Sequence, residues 1–259
     1  MIAFLLSLSD WVGIVVSMVG SAVMGLVVYM VSYKLIIKYK SDELIDPTSN
    51  LFRVVGMLVS LMLSLAFADV VVDLNKIESA IERETVAIAD TFEELQWFGG
   101  ERAREIQTIL IDYTQAIIDD DWPALANDKL GERAGVLKQQ LVGSVLVLEP
   151  TTSIQEKVLS HILADVDLIF DYRLIRLDNA LAKPPLYVNV VFFGFLVTMA
   201  CFGVYRPQAP LVALVSLYAV FVGLVVYLIL ALSDPFQGGF GVDPSTFEYL
   251  VEAMRSEIR

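Results

Sequence analysis

The 259-residue sequence is poor in the residues from which most active sites are built. It has one cysteine, Cys201, inside an apolar run, so no intrachain disulfide forms and cysteine usage gives no redox compartment. Its one histidine, His161, excludes any site that needs two imidazoles. Asp165 stands one helical turn further on, but two ligands are not a metal site and no second His or Cys completes a usual set. The pair reads as a surface i,i+4 contact. Positive charge is scarce: 18 Lys and Arg against 31 Asp and Glu give a formal net charge of −13. A nucleic-acid partner is therefore excluded, since phosphate binding needs a basic surface. There is no Gly-rich phosphate loop after a strand, no nucleophile-plus-histidine constellation and no haem-type histidine pair. The chain reads as a non-enzyme with no cofactor and no metal. It also lacks alternating strand patterns, solenoid repeats and low-complexity segments.

What the chain has is apolar surface. It is 56% hydrophobic with a mean hydropathy of +0.66, which places it among integral membrane proteins. The organising stretch is Leu51 to Phe98, apolar and uncharged from Val54 to Ala68 and amphipathic after Asp69. Neither proline nor glycine interrupts it between Gly56 and Gly99, and Gly99-Gly100 supply a stop. At about 1.5 Å per residue such a helix reaches roughly 70 Å, against a hydrocarbon core of about 30 Å. One helix leaves the bilayer and continues into water.

The expected fold is all-α, with four transmembrane helices in two pairs and a helical aqueous insert between spans 2 and 3. Its parts are a first pair (1–72), the insert (73–183), a second pair (184–232), and a loop with a terminal amphipathic helix (233–259). Span 1 is Trp11 to Tyr33; Ser9 and Asp10 can cap it. Lysines follow this span rather than precede it, the reverse of a signal peptide. Gly13, Ser17, Ser21 and Gly25 form a small-residue stripe on it, and Gly56, Ser60, Ser64 and Ala68 form a matching one on span 2. Such stripes let helices approach closely, so the two spans are expected to contact each other, within or between subunits. In the insert, Asp119 to Pro123 is expected to break a helix carrying Ile106, Leu110, Tyr113 and Ile117. A helix from about Glu132 to Leu148 follows, ended by Pro150. Ser153 and Glu156 are read as a capping box opening the next helix, which Lys183-Pro184-Pro185 end. Spans 3 and 4 are Leu186 to Tyr205 and Leu211 to Leu232, joined by a short turn as an antiparallel pair.

After span 4 comes Asp234-Pro235-Phe236-Gln237-Gly238, then Val242-Asp243-Pro244. That tract, two spans, a helical insert and two more spans resemble the bestrophin-like domain family, bacterial membrane proteins of unassigned function. Tyr113 with Asp121-Trp122-Pro123 resembles the same family's Tyr…acid-Trp pattern, with aspartate where glutamate is expected. The resemblance covers nearly the whole chain and implies kinship with bestrophins, pentameric anion channels whose helices extend out of the membrane. Their calcium clasp, Asn-Pro-Phe-Gly with a dense acidic run, is only partly matched. Pro235 and Phe236 are kept, but Asp234 replaces the asparagine, Gln237 precedes the glycine and the acidic run is missing, which argues against calcium control.

On turn chemistry the loop Asp234, Pro235, Phe236, Gly238, Asp243, Pro244 reads as a structural turn, with Phe236 or Phe240 filling a packing gap and Asp243-Pro244 opening the last helix. Gly56, Ser60, Ser64, Ala68, Asp69 and Asp73 are the candidate pore-lining or helix-packing residues; the two aspartates end the apolar run. Asp165, Asp167, Asp171 and Asp178 read as a solvated face, interrupted by Arg173 and Arg176 that can pair with it. Lys34, Lys38, Lys40, Arg53 and Arg206 place the span-connecting loops in the cytoplasm by the positive-inside rule, and the insert in the periplasm of the bacterial inner membrane. Lys76, Arg83, Arg173, Arg176 and Lys183 flank the membrane on the insert's side and oppose that placement, as does the bestrophin analogy. The functional expectation is a channel-like homo-oligomer with possible ion conduction. The alternative is an accessory subunit of a larger membrane complex. Its partners are the bilayer and either copies of itself or other membrane subunits.

Overall fold

A computed structural model describes residues 10–37, 44–181, 187–237 and 240–258. Lys38, Lys40, Lys183, Gly238 and Gly239 lie outside the described residues. All regular structure among the described residues is helical: α1 (Asp10–Ile36), α2 (Ile45–Phe98), α3 (Glu101–Ala116), a π-helical turn (Ile117–Asp121), α4 (Trp122–Leu125), α5 (Arg133–Leu146), α6 (Ser153–Ala180), α7 (Tyr187–Cys201) with a 3₁₀ turn (Phe202–Val204), α8 (Ala209–Leu232) and α9 (Ser245–Ile258).

The 54-residue α2 starts six residues earlier than the periodicity indicates, because Pro47 sits in its first turn where its missing N–H is no loss. Its end is where the glycines place it, with φ of 73° at Gly99 and 91° at Gly100.

The chain divides into two units, one drawn from the residues up to Val72 and those from 183 to Gly241, the other from Asp73 to Ala182 and Val242 to Arg259. In the first, α1, α2 and α8 are long and apolar enough to cross a membrane; α7 with its 3₁₀ turn is a shorter apolar helix. The third span thus ends as an α-helix at Cys201, four residues short of the expected Tyr205.

The hub of this unit is α1, which packs along α8 and against α7 and the 3₁₀ turn. Direct contact between α7 and α8 is slight, so the second pair is joined mainly through α1. The stripe on α1 accounts for this. A Cβ on Gly13 would meet the Tyr227 ring, and one on Gly25 would come within 2.9 Å of Met199 Sδ and 3.1 Å of Ala219. Ser17 Oγ donates to the carbonyl of Gly223 at 2.9 Å, and a Cβ on Gly223 would strike Ser21. The expectation that the stripes of α1 and α2 face each other is therefore corrected within the chain: α1 spends its small residues on α8, whose Gly223 gives the matching close approach. Tyr29, Phe195, Met199, Val215 and Ala219 complete that core, and a smaller one joins Ala66 and Val70 to Ile229.

The second unit differs from expectation at two places. Asp119 to Pro123 does not break the helix; the chain widens into one π turn and runs on through α4. The wider turn carries the helix past Pro123, whose nitrogen has no hydrogen to give; α4 ends at Leu125, and a turn containing Asp128 at φ 55° follows. The cap of α6 is Thr152 rather than Ser153. Its hydroxyl accepts from Gln155 N at 3.2 Å, while Gln155 Oε1 accepts from Thr151 N at 2.9 Å. With the cap moved one residue, the reciprocal position three residues on is Gln155 rather than Glu156, and its amide also donates to Phe98 O at 2.8 Å.

Candidate functional site

Five elements of the second unit deliver polar side chains to one buried place. Glu84 lies on α2 among Ile77, Ala80, Ile81, Ala87 and Ile88, all buried. Tyr113 comes from α3, Asp121 from the π turn, Trp122 from α4, and Arg173 and Arg176 from α6. Arg176 has no exposed surface; its Nε donates to Glu84 Oε2 at 2.8 Å and its Nη2 to Glu84 Oε1 at 3.2 Å. The same Nη2 lies 3.5 Å from Asp121 Oδ2. Arg173 grips Asp121 with two bonds of 3.0 Å. Two guanidinium groups and two carboxylates give no net charge, the condition for burying any of them. The Tyr113 hydroxyl donates to Glu84 Oε1 at 3.4 Å. Trp122 and Phe247 of α9 stand 5.6 and 5.7 Å from the Arg176 guanidinium carbon, so two ring quadrupoles add to the carboxylates. Arg176 Nη1 has no acceptor among the described residues.

Burial alone would lower the Arg176 pKa; the charge and hydrogen bonds of Glu84, with Asp121, overturn this and hold it above its ordinary value. Burial, and after it the Glu84 charge, raise the Tyr113 phenol well above its own. The π turn is what aims Asp121 inward, and Gly131 lets the chain pass it: a Cβ there would collide with Asp121 Oδ1 and come within 2.9 Å of its Cα. Neighbouring Asp120 accepts from Arg133 N at 2.8 Å and serves α5 as a cap.

Arg173 and Arg176 are thus not part of a solvated face, because burial of the two carboxylates turns them inward. Asp165 also leaves that face. It is half-buried beside Glu94 of α2, whose Oε2 is buried with no hydrogen-bond partner among the described residues. His161 Nδ1 lies 3.4 Å from Glu94 Oε1 but is 71% exposed. Burial, then the charges of Asp165 and Asp90, push Glu94 up to about 7 against the opposing pull of His161; burial and Asp90 raise Asp165 as well. No metal-holding group of His, Cys, Asp and Glu occurs among the described residues.

The residues singled out on α2 stand apart from this network. Gly56 is half-buried, with nothing within 4 Å of where a Cβ would be; Ser60, Ser64 and Ala68 are exposed. The serine hydroxyls turn back on the carbonyls of Gly56 and Ser60 at 2.9 Å each. Asp69 is exposed, and Asp73 pairs with Lys76 at 2.7 Å. In the loop, Pro235 and Phe236 are buried, Phe240 is partly exposed and Gly238 lies outside the described residues. Asp243 accepts from Ser245 N at 2.9 Å ahead of α9, and Pro244 O takes the first helical bonds.

The bestrophin-like domain matches residues 7–247. The chain belongs to the bestrophin-like family. Among solved structures, a point variant of a bacterial bestrophin homologue from Klebsiella pneumoniae superposes with a TM-score of 0.70 at 11% identity, over 95% of this chain and 98% of that one. At that identity the likeness is one of fold. Among curated proteins no sequence matches. In this bestrophin-like chain, Tyr113, Asp121 and Trp122, which carry the resemblance in the insert, all belong to the buried ion network. Glu84 and Arg176 complete it without belonging to any motif noticed in the sequence.

Removing one partner of a buried pair strands the other charge. Arg176→Met is therefore expected to destabilise the protein by about 3–5 kcal/mol, and Arg206→Met, at an exposed position, by under about 0.5 kcal/mol, read from thermal melts in detergent. For Glu94 the folded carboxyl titrates above its ordinary 4.5, so its contribution is full below that value and is lost as pH rises through about 7. The wild-type melting temperature should fall from about pH 6 to about pH 8 more steeply than that of Glu94→Gln. Parallel curves would refute the raised titration of Glu94.

Proposed function

We propose that the chain is one subunit of a channel-like homo-oligomer in the bacterial inner membrane, with α1, α2, α7 and α8 as four spans and α2 nearest the symmetry axis. The observation that carries this reading is the small, weakly polar face Gly56, Ser60, Ser64 and Ala68, which no described part of the same chain covers. Family membership supports it, and so does the apolar exterior of α1, α2 and α8. Hydroxyls bonded to their own backbone offer an ion brief coordination without tight binding. Asp69 and Asp73 follow on the same helix, and rings of carboxylates favour cations, so any conductance is not strongly anion-selective unless Lys76, which pairs with Asp73, or Arg83 neutralises that charge. No catalysis, calcium control or cofactor enters this proposal. The accessory-subunit reading stays as the alternative outcome of the test.

Ser60→Trp and Ser64→Trp should abolish ion flux in liposomes while leaving the oligomer intact. Loss of the oligomer itself, or no flux from the unmutated protein under any ion gradient, would contradict conduction. The positive-inside rule puts the helical insert in the periplasm. A C-terminal alkaline phosphatase fusion should then be active in cells; an inactive one, with a fluorescent protein fused at the same place glowing, reverses the orientation.

A further inference from the structure

At one end of the first unit, where α1 and α7 finish and α2 and α8 begin, a cavity of about 370 Å³ opens to the surface. Hydrogen bonds hold these ends together: Ser32 Oγ donates to Ala200 O at 2.8 Å and the Tyr29 hydroxyl to Tyr205 O at 3.3 Å. One part of the cavity is apolar. Phe52 and Phe202 meet edge to face with ring centroids 5.0 Å apart, and Leu211 and Cys201 extend that wall. The other part is polar and short of anions. Thr48 lines it with Ser49 and Tyr205, whose hydroxyls lie 2.9 Å apart. That contact uses one O–H, and the second is left to donate elsewhere. Arg53 lines the same part, is exposed, and has no carboxylate within ion-pair distance among the described residues. Arg206 follows Tyr205 and is likewise exposed.

A lone guanidinium beside three hydroxyls, set above an aromatic and aliphatic wall on membrane-candidate helices, matches one ligand chemistry. It offers bidentate charged donors to a phosphate and apolar surface to what hangs from it. A soluble phosphate would leave the apolar wall unused. We propose that this cavity holds one anionic phospholipid, its phosphate on Arg53 and the hydroxyls, and the start of an acyl chain along Phe52, Phe202 and Leu211.

Native mass spectrometry of the full chain, purified in detergent and exposed to phosphatidylglycerol or phosphatidylcholine, tests it. Phosphatidylglycerol should be retained roughly tenfold more strongly, and Arg53→Gln should remove that preference. Equal retention of the two lipids, or an unchanged preference in Arg53→Gln, overturns the proposal. Displacement of phosphatidylglycerol by inorganic phosphate also overturns it, in favour of a soluble anion. Should Arg53→Gln fail to elute as the native particle, Leu211→Trp fills the apolar half instead. It should lower phosphatidylglycerol retention; unaltered retention there overturns the proposal equally.

Discussion

Arg176 has no exposed surface, and a charge taken out of water must be met by opposite charge placed within hydrogen-bond reach. That constraint organises the second unit. It needs Glu84 on the inner face of α2, and it brings Asp121 in from a helix widened by one π turn. It also puts Trp122 and Phe247 beside the guanidinium, so that α4 and α9 are drawn to the same point. Apolar packing alone, which tolerates exchange of similar side chains, would not demand this one arrangement. The network joins elements far apart in sequence.

Much of the fold was legible in the sequence because it rests on local physics. The end of α2 follows from Gly99-Gly100, and the helical insert from its 3–4 spacing, whereas the start of α2 lies six residues before the expected Leu51, with Pro47 in its first turn. The misreadings share one cause. Asp119 to Pro123 looks like a break because proline usually is one, whereas a π turn lets the chain continue past it. Arg173 and Arg176 look like surface charges because arginine usually is one. Yet they continue the face Ile162, Val166, Ile169 at steps of three and four, just as Glu84 continues Ile77 and Ile81. A charge in register with a buried stripe is the signal that identifies such a network. Its pairing was not legible, since no spacing tells which arginine meets which carboxylate across the 92 residues between Glu84 and Arg176.

The two small-residue stripes show the same division between pattern and use. Their sequences are alike, and both are suited to close approach. On α1 the stripe is occupied by Tyr227, Gly223 and Met199 of the same chain. On α2 no described residue covers it, and its serines bond to carbonyls of their own helix. Exposed valines and leucines elsewhere on these helices are ordinary for surfaces that face lipid. An uncovered face of glycine, serine and alanine is better matched to another copy of α2 or to water.

Imaging of the detergent-extracted particle tests the central claim most directly. The account predicts a closed ring of identical chains, with α2 innermost and Gly56, Ser60, Ser64 and Ala68 turned toward an axial path. A single copy among unlike subunits, or a ring with that face turned to lipid, would contradict it.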